Sequence, residues 1–232
     1  MIMEKFDLRC DYNCSNQNDG YDVFDVQCDD MHCNTIITGN PPCLLKWIRD
    51  LLQTNLRDDN RRLRVSMDMI WHQFLNDTNI RTPVTIQFCH ESRCIIYHVS
   101  PPENFPRSNL ERFLNHDCVD FVGFGMQKKV QYLGKVFNLK VKNWFDIPFV
   151  ACCLNPELSF RENFNLPLPN MVFKEFSKCY PKPTYLLQSN WRLIQLSSEK
   201  VMYATLDCYF AYKLAVHLSI PRKIELEVLI LS

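Results

Sequence analysis

The stretch RVSMDMIW, residues 64–71, decides the fold. It is an apolar, strand-like run in which Val65, Met67, Met69, Ile70 and Trp71 surround one carboxylate, Asp68. An acid in such a run is costly to bury unpaired, so Asp68 asks for partners elsewhere in the chain. Working outward, YDVFDVQ (21–27) and CNTIITG (33–39) alternate in strand fashion on either side of a short acidic turn and predict a β-hairpin. NPPCLLKWIRDLL (40–52) follows, with Asn40 as N-cap and Leu44, Leu45, Ile48, Leu51 and Leu52 at helical spacing. Downstream, VTIQFCH and CIIYHVS form a second hairpin split by ESR, and RSNLERFLN is a short helix. CVDFVGFG is a strand ending in glycines, and MQKKVQYLGKVF is a helix with Met126, Val130, Leu133 and Phe137 on one face. Residues 154–190 are rich in Pro and Asn and hold one short helix, NMVFKEFSK. The longest helical pattern is SSEKVMYATLDCYFAYKLAVHL, capped by Ser197 or Ser198.

Three neighbouring strands before any crossover, then strand–helix alternation, argue an α/β fold with a mixed sheet flanked by helices. Residues 1–20 are polar, with almost no aliphatics, and read as a flexible arm; the domain proper is expected over 21–225. Formal net charge is zero, which excludes a global basic field for nucleic acid and leaves only local patches. The longest apolar runs fall short of the ~20 residues of a membrane span, and the first residues lack an apolar signal region. The expectation is no membrane and an intracellular location, cytoplasm or nucleus, with the 12 cysteines as free thiols. Cys10, Cys14, Cys28, His32 and Cys33 cluster, but their spacing matches no common zinc knuckle or ribbon.

Tyr203 and Asp207 are four apart on the last helix and share a face. Aimed at Asp68, they can build a metal site with a water-orienting phenol; the plainer alternative is a core tyrosine and a solvated carboxylate. Lys128, Lys129, Lys135 and Arg62 supply local positive charge that can contact a phosphate backbone or simply face solvent. Phe124 can stack a terminal base or pack into the core. His72, His90 and His98 are read as core or surface residues, and Trp191 as core.

Taken in order, RVSMDMIW, VTIQFCHESRCIIYHV, FVGFGMQKKVQYLG and SNWRLIQLSSEKVMYATLDCYFAYKL resemble the 3′–5′ exonuclease domain of the DEDD superfamily. The Werner-syndrome-like branch fits best, especially the small plant relatives that include the RISC-interacting clearing exoribonucleases. The resemblance covers about residues 21–220. It implies a ribonuclease-H-like fold: a mixed five-stranded sheet flanked by helices, here with an extra N-terminal hairpin, and with the strand after RVSMDMIW antiparallel to the others. It also implies a site of four acids holding two Mg²⁺ or Mn²⁺ ions about 4 Å apart, with a tyrosine one turn before the last aspartate to position the attacking water.

Residue by residue, the match is incomplete. The first motif, Asp-x-Glu followed by Trp, is present as Asp68 and Trp71, but Ile70 stands in the glutamate position. The acid expected early in the helix after the VGxG turn is Lys129, and no acid lies between Gly123 and Lys142. Tyr203 and Asp207 match the third motif. An ammonium ~5 Å from a divalent ion repels it by about 7 kcal/mol at an effective dielectric of ~20. The resemblance therefore implies a degenerate site with Asp68, Tyr203 and Asp207 as remnants, in which Lys129 pairs with Asp68 or Asp207, and at most one weakly held Mg²⁺ or Mn²⁺. The expected function is binding of single-stranded RNA or DNA 3′ ends, through Lys128, Lys129 and Phe124, with hydrolysis reduced or lost. A slow metal-dependent exonuclease and a non-catalytic subunit, in a homo-oligomer or assembled with an active paralogue, are the alternatives.

Overall fold

A computed structural model of the chain describes residues 4–16, 19–56, 62–71, 83–99, 105–154, 166–180, 183–193 and 195–220. The expected loop at 72–82 with His72, the prolines Pro101 and Pro102, and the domain end at 225 lie outside the described residues. Strand β5 (Leu63–Trp71) is RVSMDMIW with one residue added before it. Its partners are β6 (Pro83–His90), antiparallel, and β8 (Val119–Gly123), parallel. β6 in turn pairs antiparallel with β7 (Arg93–His98), and β8 pairs parallel with β9 (Trp144–Asp146). These five give the order β7-β6-β5-β8-β9, with the strand after RVSMDMIW antiparallel to the other four, as expected. β6 is buried along its whole length, as a strand covered on both faces must be.

The sheet has eight strands rather than five. The N-terminal hairpin, β3 (Tyr21–Cys28) with β4 (Met31–Thr38), joins it through parallel pairing of β4 with β7. β2 (Leu8–Asn16) then pairs antiparallel with β3 as the sheet edge. The expectation of a flexible arm over 1–20 is thus corrected for this segment. Its alternation is hard to read because only Leu8, Cys10 and Asn16 are half-buried, and the polar residues between them are those that protect an edge strand. A separate two-stranded sheet joins β1 (Glu4–Lys5) in parallel to β10 (Lys178–Cys179).

Helices cover both faces. On one face lie α1 (Pro41–Asn55), α2 (Arg107–Leu114) and α3 (Met126–Phe137), burying Leu44, Trp47, Phe113 and Leu133 against Val65, Met67, Phe88 and Phe121. On the other lie α4 (Ile147–Leu154), α5 (Leu168–Phe176) and α7 (Ser198–His217), with the short α6 (Thr184–Gln188) before it. Ser197 caps α7 by accepting from the Lys200 amide at 3.4 Å. α7 is buried on nearly every side because it lies against β2 through β8.

A row of small residues sets the height and register of α7. Ser66, Cys89, Cys94 and Thr35 are successive partners across β5, β6, β7 and β4. Ser66 Oγ donates to the Cys208 carbonyl at 2.6 Å, and the Thr35 and Thr205 hydroxyls meet at 3.0 Å. One turn of α7 is therefore fixed at both ends to the sheet. Cys208 sits over Ser66, two residues before Asp68, and its neighbour Asp207 is carried to the Asp68 end of β5. Cys10, Cys28 and Cys33 belong to this face, whereas His32 points away and meets Asp25 at 2.8 Å.

Candidate active-site cleft

Strand alternation places Asp68 and Ile70 on the α7 face of β5, with Met67 and Met69 on the other. Ile70 packs against the apolar cluster around α7. Asp68 stays partly open to a cleft of about 700 Å³, lined also by Phe124, Gly125, Lys128, Lys129, Asp146 and Asp207. Leu166, Pro167, Leu168 and Pro169 form its apolar rim.

The turn from β8 into α3 builds one wall, and two glycines make it possible. A Cβ on Gly123 would stand 2.6 Å from the Met67 carbonyl oxygen and 2.8 Å from Met126 Sδ, so only glycine lets β8 pass β5 this closely. Gly125 has φ +63° and begins α3. In place of a capping side chain at that residue, Asp146 at the end of β9 accepts from the Met126 amide at 2.7 Å and the Gly125 amide at 3.3 Å. Burial pushes the Asp146 carboxyl up, against these amides and Lys129, which hold it down. Asp146 is the carboxylate that sequence reasoning missed: it is 17 residues from Lys129 in sequence, and only the β8–β9 pairing brings it to the helix N-terminus.

Lys129 ends the first turn of α3, and its stem folds back toward the sheet. Nζ lies 2.5 Å from Asp68 Oδ1 and donates to the Phe124 carbonyl at 2.6 Å. The two side chains retain 11% and 23% of their exposure, so solvent screens the pair only in part. A cation in the first turn opposes the helix dipole; Asp68 and Asp146 offset that cost. Asp68 also accepts from the Met69 amide at 2.8 Å.

Asp207 lies on the cleft floor, 7% exposed, and accepts from the Tyr180 hydroxyl at 2.9 Å. Tyr180 is a second residue the sequence did not reveal, since it lies in the irregular Pro- and Asn-rich region with no motif around it. Burial, with Asp207, Asp68 and Tyr203 nearby, pushes its phenol well up, so it is a fixed neutral donor. Tyr203 is buried one turn before Asp207, its phenol pushed up to about 12 by burial and by Glu199, Tyr185 and Asp207. It is not among the described residues that line the cleft.

Of the other candidates, Lys128 is exposed at the cleft and Phe124 lines it half-buried. Lys135 is exposed further along α3, and Arg62 is engaged by Asp120 on β8. His90 bonds the Arg64 carbonyl, His98 is buried in β7, and Trp191 is a core residue whose indole N–H donates to Leu186.

The residues present do not fit a pair of divalent ions. Of the carboxylates that line the cleft, Asp68 is held by an ammonium and Asp146 by the amides at the start of α3, and among the described residues no group of three or more His, Cys, Asp or Glu is arranged to hold a metal. Among the described residues, no helix is long and apolar enough to cross a membrane.

The fold is that of known nucleases. The catalytic core of RRP6 from Trypanosoma brucei (mutant C496S) superposes with a TM-score of 0.63 at 18% identity, covering 79% of this chain and 46% of that one. Escherichia coli RNase D, an exoribonuclease involved in structured RNA processing, gives 0.64 at 11% identity, covering 83% and 45%. The EXO domain of Aedes aegypti Nibbler gives 0.62 at 18% identity, covering 83% and 94%. The chain thus spans a little under half of the first two and nearly all of the third. No curated protein sequence matches it. The sequence profile of the 3′–5′ exonuclease family matches residues 44–220, more than half of the chain, and the chain belongs to that family.

Proposed function

We propose that this is a nucleic-acid-binding member of the 3′–5′ exonuclease family whose hydrolytic centre is reduced or lost, with an internal ion pair where its relatives use metal-bound acids. One observation carries the reading: Lys129 Nζ is 2.5 Å from Asp68 Oδ1, at the position where the family motif calls for another acid. The ammonium and the Phe124 carbonyl occupy the space beside Asp68, and Ile70 offers no oxygen. The cleft keeps what a single strand needs for binding. Lys128 stands exposed at its edge for phosphate, and Phe124 presents a partly open ring for base stacking. The ligand is a single-stranded RNA or DNA 3′ end, and affinity falls with salt as counterions are released.

The test is a labelled single-stranded oligonucleotide incubated with the protein in Mg²⁺ or Mn²⁺. Binding that weakens with salt, with the strand left intact, is the expected result. Hydrolysis by the unaltered protein that Asp68→Ala abolishes overturns the reading. Calorimetric titration with Mn²⁺ is an independent check, in which the double variant Ile70→Glu/Lys129→Asp gains metal binding over the parent.

A further inference from the structure

The family match begins at residue 44, so β1 through β4 stand outside it. Part of that extension packs beside Tyr180, the residue that bonds the cleft carboxylate Asp207. β1 pairs with β10, Glu4 against Lys178 and Lys5 against Cys179, and the Phe6 amide donates to the Cys179 carbonyl at 3.2 Å. The residue after β10 is Tyr180, the donor to Asp207. The same few residues also meet through their rings. Phe210, on α7 three residues after Asp207, has the Phe6 ring at 4.9 Å and the Tyr180 ring stacked at 4.8 Å and 18°. Lys178 lies over Phe6 at 5.7 Å and pairs with Asp29 at 2.9 Å, and the Asp29 carboxylate accepts from the Asp7 amide at 2.9 Å. The N-terminal segment is thereby tied both to the β3–β4 turn and to the strand that delivers Tyr180.

We propose that residues 4–6 form a strap that positions Tyr180, and through its hydroxyl the Asp207 carboxylate, on the floor of the cleft. The inference rests on the reading of Asp207 as part of the working cleft. Tyr180 follows a strand of only two residues, whose pairing alone holds the backbone weakly. The β1 pairing supplies main-chain bonds on one side, and the Phe6–Phe210–Tyr180 aromatic contacts fix the ring. Asp207 is carried by α7, which the Ser66 and Thr35 bonds already hold to the sheet. The strap therefore governs where the Tyr180 hydroxyl sits, and with it the hydrogen bond that orients the Asp207 carboxylate on a helix already held to the sheet.

Carboxyl-carbon NMR of the full chain, labelled with ¹³C at aspartate and read at one fixed pH, tests this. The Asp207 signal is identified by its disappearance in Asp207→Asn. Tyr180→Phe is expected to shift it. Phe6→Ala is expected to shift it in the same direction, the double variant no further than the larger single, and Phe6→Tyr, which keeps the ring, to leave it near its original position. The Asp120 signal, on the far side of β5, stays put in all of them. Phe6→Leu replaces Phe6→Ala if the latter fails to fold. The strap is overturned if Phe6→Ala, or Phe6→Leu in its place, leaves the Asp207 signal unmoved, whether or not Tyr180→Phe shifts it. Oligonucleotide binding is measured separately on the unaltered protein. Its absence defeats the functional reading, while the carboxyl signal decides the strap.

Discussion

Replacing Lys129 by methionine keeps the length of the stem and removes the charge. At 2.5 Å, the gross attraction between Nζ and Asp68 Oδ1 is about 6–7 kcal/mol at an effective dielectric of ~20. Most of that is offset by the desolvation of two ions, so the intact pair adds little net stability. Breaking a buried pair is a different matter: loss of one partner costs about 3–5 kcal/mol in a fully buried setting. Here the side chains keep 11% and 23% of their exposure, which places Lys129→Met and Asp68→Asn at about 2–3 kcal/mol each. The double variant should cost clearly less than the sum, with a coupling of about 2 kcal/mol. Urea unfolding followed by tryptophan fluorescence reads this as a midpoint shift on the order of 1 M for each single variant. The coupling should persist in high salt, because a pair this enclosed is weakly screened. Single effects that add within ~0.5 kcal/mol would mean that the two charges do not interact, and the reading of the site would go with them.

Three further outcomes follow from the same geometry. Burial lowers the His98 imidazole from its ordinary 6.5 to about 4, so the unfolded chain takes up this proton first; stability is complete above pH ~6.5 and falls by up to about 3 kcal/mol as pH drops toward 4. His98→Phe should flatten that part of a stability–pH curve measured by urea unfolding. Gly123→Ala drives a Cβ to 2.6 Å from the Met67 carbonyl, and should lower stability by about 1–3 kcal/mol and weaken oligonucleotide binding, since the Phe124–Lys129 turn moves with it. Lys129→Asp alone should destabilise the protein more than Ile70→Glu alone, because the first sets two carboxylates against each other at a cost of about 3 kcal/mol. The second adds an anion within reach of an existing ammonium; thermal melts of the two variants compare them directly.

The core of the fold was legible because it is written in local patterns. The β6–β7 hairpin, the helices at 41–55 and 126–137 and the Ser197 cap all follow from periodicity and turn chemistry within a dozen residues. β9 is three residues long and β10 two, too short for any alternation to register, and β2 hides its pattern in edge-strand polarity. The same limit applied to the cleft. Asp68, Lys129 and Asp207 could be placed by motif, and their convergence followed from the family order of elements. Asp146 and Tyr180 could not, since each reaches the site through a pairing, β8 with β9 and β1 with β10, that no spacing in the sequence announces.

On the proposed reading, the two departures at the site belong together. Four carboxylates around two divalent ions balance at zero. Loss of the ions alone would leave four like charges on one strand and two helices, each pair repelling by about 3 kcal/mol at ~5 Å. Conversion of one acid to lysine both subtracts an anion and adds a cation, and Ile70 subtracts another anion and fills its space with apolar contact. What remains is Asp68 against Lys129, and Asp207 accepting from a phenol that burial keeps protonated. Asp146 does not add to the imbalance, because the amides at the start of α3 take up its charge. Lysine suits this position because α3 begins at Gly125, four residues earlier, and its backbone leaves a first-turn side chain long enough to reach back across the β8–α3 turn to β5. An arginine fork there would have to share that space with the Phe124 carbonyl, to which Nζ already donates. The same ammonium that neutralises Asp68 thus also fixes the turn that presents Phe124 and Lys128 to the cleft, so that the group displacing the metal chemistry is also one that shapes the binding surface.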